Sequence, residues 1–508
     1  MNFLKFIKKD KLSQDYSTVK RDFTMELDEN VKELVSIFDG TLNEDFIVRK
    51  FRLKCLSQEG SIIFLNGLVD PKVIDQFILA PLIENEEKVE KGIEEVILEI
   101  IPINNIKTVC AISESIKGIN NGQTLLVLNG YNKAFLLDTT KIEHRSIDKP
   151  QNEVVLKGSN EGFVESISIN KALIRKQLRY EKLVTETVCL NNRATEAVSL
   201  MYVSNIVNKE VVEELKNRIE GIEVDSIQNI SLLEQYLEER HYSLVPTILY
   251  TERPDRAVSY IMEGHVVILA ENSPACLVTP VTFWSFFHSA EDSYQRWAYG
   301  NFVRLIRLLA FVIAILTPSF YVAATNFHIE MLPTDLALAI AAKRESVPFP
   351  AIIEVLIMEV SFELLREAGV RVPTPIGPTI GIVGALILGQ AAVEANIISP
   401  IMVIVVALTG LASFAIPDIS FSFMIRIIRF AFLIVSSMLG LLGIVICLIL
   451  SISYLTTLTS FGVPFLSPMA PHNMSSNDTI FRRIVSKKRV RPTNIKPQNI
   501  IRGMKGRE

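Results

Sequence analysis

Cysteine is scarce, with five in 508 residues and no C-x-x-C. Cys55, Cys110, Cys189, Cys276 and Cys447 are scattered and odd in number, which excludes a disulfide scaffold and predicts reduced, buried thiols. Histidine is scarce too. His144, His241, His265, His288, His328 and His472 show no metal-ligand spacing. The chain lacks G-x-x-x-x-G-K-[ST], a strand-linked G-x-G-x-x-G, H-E-x-x-H and G-x-S-x-G. Nothing therefore supports an enzyme, a cofactor or a bound metal, and no nucleic-acid partner is expected. The opening MNFLKFIKKDKLSQ has no apolar run and no small-residue cleavage site, which predicts no secretory signal.

What is present is uneven. Hydrophobic residues make up 49% and charged residues 21%, yet the mean hydropathy is +0.31, high for a soluble protein. Before residue 300 there are 34 basic and 45 acidic residues; after it there are 18 and 11. The net charge of -4 hides an acidic first part and a basic second part.

Up to about residue 300, strand and helix patterns alternate. SIIFLNGLVD (61–70) reads as a buried strand, and PKVIDQFILAPLI (71–83) as a helix with Pro71 in its first turn. TLLVLNGYNKAFLLD (124–138) is a hairpin around Asn129-Gly130. Residues 141–170 are polar and read as a linker. The pattern then returns. Setting Leu65 against Val203 aligns Leu68 with Ile206, Val69 with Val207, Val73 with Val211 and Ile74 with Val212. GHVVILAENSPACLVTP (264–280) likewise matches GQTLLVLNGYNKAFLLD (122–138). A duplicated α/β subdomain explains this, and so does the shared composition of buried strands. The expected subdomains are 1–140 and 171–290.

After residue 300 the expected environment is hydrocarbon. Runs 302–325, 379–398, 400–417 and 430–455 are apolar and near the length that spans a bilayer. The last is the clearest, with no charge. Between them, 348–369 reads as an amphipathic helix lying at an interface or packing on the bundle, rather than a lipid-exposed span. Ile353, Leu356, Ile357, Val360 and Leu364 lie on one face, and Glu359, Glu363 and Glu367 on the other. A further element near 333–345 leaves the number of membrane elements at four or five. The expected domain is an α-helical transmembrane bundle over 291–471, followed by a basic cytoplasmic tail at 472–508. Arg482, Arg483, Lys487, Lys488 and Arg489 mark the cytoplasmic side, as do Arg304 and Arg307. Arg366, Arg371, Arg426 and Arg429 then fall at or near the outer side, which conflicts with that rule.

Gly377, Gly381, Ala385 and Gly389 recur every four residues and suit close helix packing. Gln390 and Glu394 point away from that stripe. They are candidates for an ion pathway, or alternatively Glu394 sits at the membrane edge. Phe283, Trp284, Phe286 and Phe287, with Trp297 and Tyr299, suit either a membrane-interface belt or a core at the junction. Trp284 and Trp297 are candidates for coupling the two parts. Asp418 is expected to be interfacial.

Long ordered strings carry a resemblance. RPDRAVSYIMEG (253–264), PVTFWSFFHSAEDSYQRW (280–297), VPFPAIIEVLIMEVSFELLREAG (347–369), PIGPTIGIVGALILGQAAVEANIISPIMVIVVALT (375–409) and SFGVPFLSPMAP (460–471) resemble the A subunit of the GerA-type spore germination receptors. DFIVRKFRL (45–53), NGLVDPKVID (66–75) and NEGFVESISINKALIRKQLR (160–179) do as well. The resemblance implies a non-enzymatic, multi-pass protein of the spore inner membrane with two N-terminal α/β subdomains. It implies a transporter-like B subunit that binds the nutrient, a lipoprotein C subunit, and A subunits that oligomerise into a gated ion channel. A secondary transporter and a membrane scaffold for a sensing partner stay open as alternatives.

Overall fold

The computed structural model describes residues 21–54, 58–85, 93–141, 150, 153, 155, 157–190, 197–371, 389–473 and 479–502. The chain divides into two compact units. One holds the chain up to His241, Tyr250–Pro280 and the segment from Arg489 onward; the other holds Tyr242–Leu249 and Val281–Lys488.

The first unit contains two five-stranded sheets. Strands β1 (Phe46–Leu53), β2 (Gln58–Leu65), β3 (Ile106–Val109), β4 (Thr124–Leu128) and β5 (Ala134–Leu137) are ordered β1-β2-β4-β5-β3. Strands β6 (Leu183–Cys189), β7 (Ala197–Val203), β8 (Leu249–Thr251), β9 (Val266–Ala270) and β10 (Cys276–Thr279) are ordered β6-β7-β9-β10-β8. Every residue of β4, β5, β9 and β10 is buried, because helices cover both faces. In the first sheet, Ile63, Leu65, Leu125 and Val127 face α1 (Leu27–Ile37) and α3 (Ile112–Asn120). Ile62, Phe64, Leu126 and Leu128, one step out of phase, face the helical segment beginning at Pro71 and α2 (Ile93–Ile100).

The second sheet carries α4 (Ile167–Gln177), α5 (Lys209–Glu220), α6 (Ile230–Leu237) and α7 (Pro254–Ile261). Its details match those of the first. Asn30 bonds both ways to the backbone of Thr24, and buried Asn170 bonds both ways to that of Val164. Phe23 N–H donates to Cys110 O at 3.0 Å, and Phe163 N–H to Glu252 O at 2.9 Å. Gly122 and Gly264 both turn with positive φ, +87° and +105°, a conformation that favours glycine. The matching contacts already begin at Phe163. The span 141–170 therefore ends in structured chain rather than linker, because Phe163 and Asn170 anchor α4 to its sheet. Much of 142–156 lies outside the described residues.

A buried ion pair joins the two sheets. Arg175, on α4, donates from Nε to Asp45 Oδ2 at 2.8 Å and from one guanidinium nitrogen to Asn43 Oδ1 at 2.9 Å. Glu44 N–H donates to Thr185 O at 3.0 Å beside it. The thiols only partly follow expectation: Cys276 is buried and Cys447 half-buried, but Cys110 and Cys189 are exposed, and Cys55 lies outside the described residues. Both exposed cysteines fall at or next to strand ends, where the helices no longer cover the chain.

His265 follows Gly264 and is fully enclosed; its Nδ1–H donates to Pro280 O at 2.6 Å. Burial pushes its pKa below the usual 6.5, so the native imidazole is neutral. Its contribution to stability is complete above the unfolded-state value near 6.5 and is lost as pH falls through the lowered native value. Melting curves at pH 7.5 and pH 5 should therefore separate wild type from His265→Gln by less at the lower pH. An equal separation would show that His265 is not titrating.

The second unit is helical. Its helices are α8 (Trp297–Asn326), α9 (Thr334–Arg344), α10 (Ala351–Arg371), α11 (Pro400–Phe414), α12 (Ile419–Leu439) and α13 (Leu441–Thr456). Among the described residues two helices, α8 and α12, are long and apolar enough to cross a membrane; α11 and α13 are apolar but shorter. The run 430–455 is not one span. Gly440, with φ 61° and ψ -139°, ends α12 and starts α13. A side chain there meets both a strained backbone and a wall, since a Cβ would lie 3.0 Å from Phe327. Gly440→Val should lower helical-unit stability by about 1–3 kcal/mol, visible as an earlier thermal transition. Of the expected span 379–398, residues 379–388 lie outside the described residues, and Gly389–Glu394 is helical.

Candidate functional site: buried charges among the helices

Helix α10 mixes the two expected faces: Leu356 and Ile357 pack half-buried against the core and Glu367 is exposed. Ile353, Val360 and Leu364 are exposed, Leu364 by 66%, whereas Glu354 and Glu359 are buried at 0% and 1%. The physical reason is the partner set on α12. Arg429 reaches Glu359 Oε2 at 2.6 Å and Glu363 Oε1 at 3.3 Å. Arg426 donates from Nε to Glu363 Oε1 at 2.9 Å. Ionised groups leave water only when paired, so Glu359 and Glu363 turn toward the arginines, and Val360 and Leu364 beside them are left exposed. Arg366 donates to Ser413 Oγ at 2.8 Å and stacks on the Phe414 ring at 4.2 Å, tying α10 to α11. Glu354 accepts from Ser399 N–H at 3.0 Å and lies 3.4 Å from Arg344 of α9. Three of the arginines that conflict with the orientation rule are thus inward-facing partners of carboxylates or polar groups. Arg371 instead pairs on the surface with Glu367.

A second set of charges surrounds the start of α8. Asp292, 2% exposed, accepts from Arg304 Nε at 3.2 Å and from Arg307 at 2.7 Å. The buried Arg482 guanidinium donates to Asp292 O, and Arg482 O accepts from Asn301 at 3.2 Å and Trp297 Nε1 at 2.6 Å. Arg304, Arg307 and Arg482 therefore serve as buried structural cations. Arg483, Lys487 and Arg489 are exposed, and Lys488 is half-buried.

The aromatic segment is core. Phe283, Phe286 and Phe287 are buried and pack, mostly edge-to-face, on Phe311, Phe421 and Phe465 at centroid distances of 5.2–6.1 Å. Trp284 is half-buried, edge-on to Phe283, and donates to Leu466 O at 3.5 Å. Trp297 is 48% exposed. Asp418 is the N-cap of α12, accepting from Phe421 N–H at 2.8 Å, and its side chain is buried in the protein.

Gln390 and Glu394 are both exposed and joined by a hydrogen bond of 3.3 Å. Gly389 is buried, and a Cβ there would lie 3.3 Å from Val403. Gly377, Gly381 and Ala385 lie outside the described residues. Sequence reasoning missed the pairing of Glu354, Glu359, Glu363 and Asp292. A signal was available: Arg426 and Arg429 interrupt an otherwise apolar helix, and such charges need partners from a facing helix.

A helical unit that buries its charges and turns apolar side chains outward, preceded by paired α/β sheets, has relatives. The family model for the Bacillus/Clostridium GerA spore germination protein matches residues 32–494. Spore germination protein KA of Bacillus subtilis is 39% identical over 83% of this chain and 78% of its own length. Spore germination protein B1 of the same organism is 35% identical over 94% of this chain and 100% of its own. GerLA of Bacillus cereus is 35% identical over 88% and 92%. The N-terminal domain of the A subunit of the Bacillus megaterium spore germinant receptor GerK3 aligns with 52% of this chain and 98% of its own, at 24% identity and a TM-score of 0.40. The matched span runs through both the sheets and the buried ion pairs, and the chain belongs to the GerA family of spore germination proteins.

Proposed function

We propose that this chain is the A subunit of a nutrient-responsive germination receptor in the spore inner membrane. Its helical unit is embedded in the bilayer, and both termini are cytoplasmic. Copies of the chain oligomerise into a gated ion channel, working with a transporter-like B subunit and a lipoprotein C subunit. The two α/β subdomains are a duplicated regulatory region, and the chain performs no catalysis. The observation that carries the membrane assignment is α10, where Glu354 and Glu359 are buried while Ile353, Val360 and Leu364 are exposed. That arrangement is costly in water and favourable in hydrocarbon.

Family membership supports the germination role. A pore needs a polar lining and more helices than one copy supplies, which favours an oligomer. Gln390 and Glu394 are the proposed pathway residues. The glycine stripe ending at Gly389 packs helices. Trp284 and Trp297 couple the soluble and membrane parts, and the exposed cations Arg483, Lys487 and Arg489 keep that end cytoplasmic. Ion flux from the purified protein in liposomes tests the reading. Flux that falls in Glu394→Gln and Gln390→Ala at unchanged protein level is the expected result. No flux from an assembled, folded oligomer, with or without its partners, would sink the channel.

A further inference from the structure

The C-terminal segment is a folded part of the α/β unit. Val490 pairs antiparallel with Ile501, and Arg491 N–H donates to Ile500 O at 2.8 Å. Arg491 is buried. Its Nε donates to Met262 O at 2.9 Å, and another nitrogen reaches Ile501 O at 2.6 Å. Arg502 pairs with Glu263. Ile495 is 2% exposed, and Gln498 N–H donates to Ile206 O at 2.9 Å. A Cβ on Gly264 would lie 3.4 Å from both Ile495 and Pro497.

The first subdomain shows what holds the corresponding place there. Leu68 and Gly122 are the counterparts of Ile206 and Gly264. Leu68 O accepts from Lys141 N–H at 3.0 Å, and Val69 pairs with Thr140. A Cβ on Gly122 would lie 3.2 Å from Thr140. In that subdomain the covering residues follow β5 directly. In the second subdomain the residues after β10, from Val281, belong to the helical unit. The same carbonyl and the same glycine are covered instead by residues that return at the far end of the chain.

We propose that the groove formed by Ile206, Met262, Glu263 and Gly264 is a peptide-binding site for a basic segment folded back on itself, and that its ligand is the chain's own residues 489–502. The mode is completion of a subdomain by a distant segment, through the main-chain bond from Gln498 to Ile206 and the side chains of Arg491 and Arg502. The helical unit is then an insertion within the second subdomain, tied to it at Pro280 and again at Arg489. The node between the two ties is the turn Met262–His265, since His265 holds Pro280 and its neighbours hold the strap.

The test uses full-length protein in detergent with a specific protease site inserted between Lys488 and Arg489. After folding and cleavage, the released tail should co-elute with the body. Arg491→Glu combined with Arg502→Glu should free it. A second arm adds a synthetic peptide of residues 489–508 to a chain ending at Lys488. Binding should be saturable, and about tenfold or more weaker for a peptide carrying Arg491→Glu, as expected for losing a buried charged hydrogen bond. Loss of the wild-type tail immediately on cleavage overturns the proposal. So does equal binding of a scrambled peptide of the same charge. If the truncated chain does not fold, the cleaved protein decides alone.

Discussion

Arg429→Ala should cost the helical unit about 3–5 kcal/mol, because it leaves Glu359 buried and without its counter-charge. The geometry makes the case. Arg429 and Glu359 have side chains only 4% and 2% exposed, so solvent cannot take over for the missing partner. Glu363 keeps Arg426 and therefore does not compensate. Glu359→Leu alone should cost less, since the guanidinium keeps Glu363 Oε1 at 3.3 Å. The double variant Glu359→Leu with Arg429→Leu should recover most of the loss, because an apolar pair of similar volume tolerates burial. Thermal unfolding of the detergent-solubilised protein measures all three. Single variants that melt like wild type would show that the pair does not hold α10 to α12.

The second large effect is at Asp292. Its carboxylate binds Arg304 and Arg307, and its carbonyl accepts from Arg482, so one residue organises three buried cations. Asp292→Ala removes the carboxylate and should cost about 3–5 kcal/mol by the same uncompensated-charge penalty. Asp292→Asn keeps an acceptor and should cost less. The ranking wild type, then Asn, then Ala is the expected order of folded yield and melting temperature. A reversed order, or no difference, would mean that the arginines find other partners and that Asp292 is incidental.

Much of the α/β unit was legible in the sequence because its signals are local. The period-2 runs, the Asn129-Gly130 turn and Pro71 at a helix start each depend on a few adjacent residues. The repeat was visible because equivalent strands carry equivalent spacings. What was not legible depends on distant partners. Arg175 meets Asp45 across 130 residues, and neither position has a local pattern that names the other. Gly440 was read through because apolar runs on both sides conceal a backbone break. Helix α10 divides differently from its sequence pattern, with Glu359 buried, Glu367 exposed, Leu356 half-buried and Leu364 exposed. Periodicity divides a helix into two faces, but only the medium and the facing helix decide which one is buried. The segment 489–502 read only as part of a basic tail because its charge was legible and its fold was not.

The orientation of α10 tests the account most directly. Single spin labels at Val360, Leu364, Glu359 and Glu363, one at a time in protein reconstituted in nanodiscs, report collisions with oxygen and with a water-soluble nickel chelate. Labels at Val360 and Leu364 should collide with oxygen and not with nickel, as lipid-facing sites do, and labels at Glu359 and Glu363 should be shielded from both. Nickel-dominated collisions at Val360 and Leu364 would place that face in water and contradict a membrane-embedded helical unit.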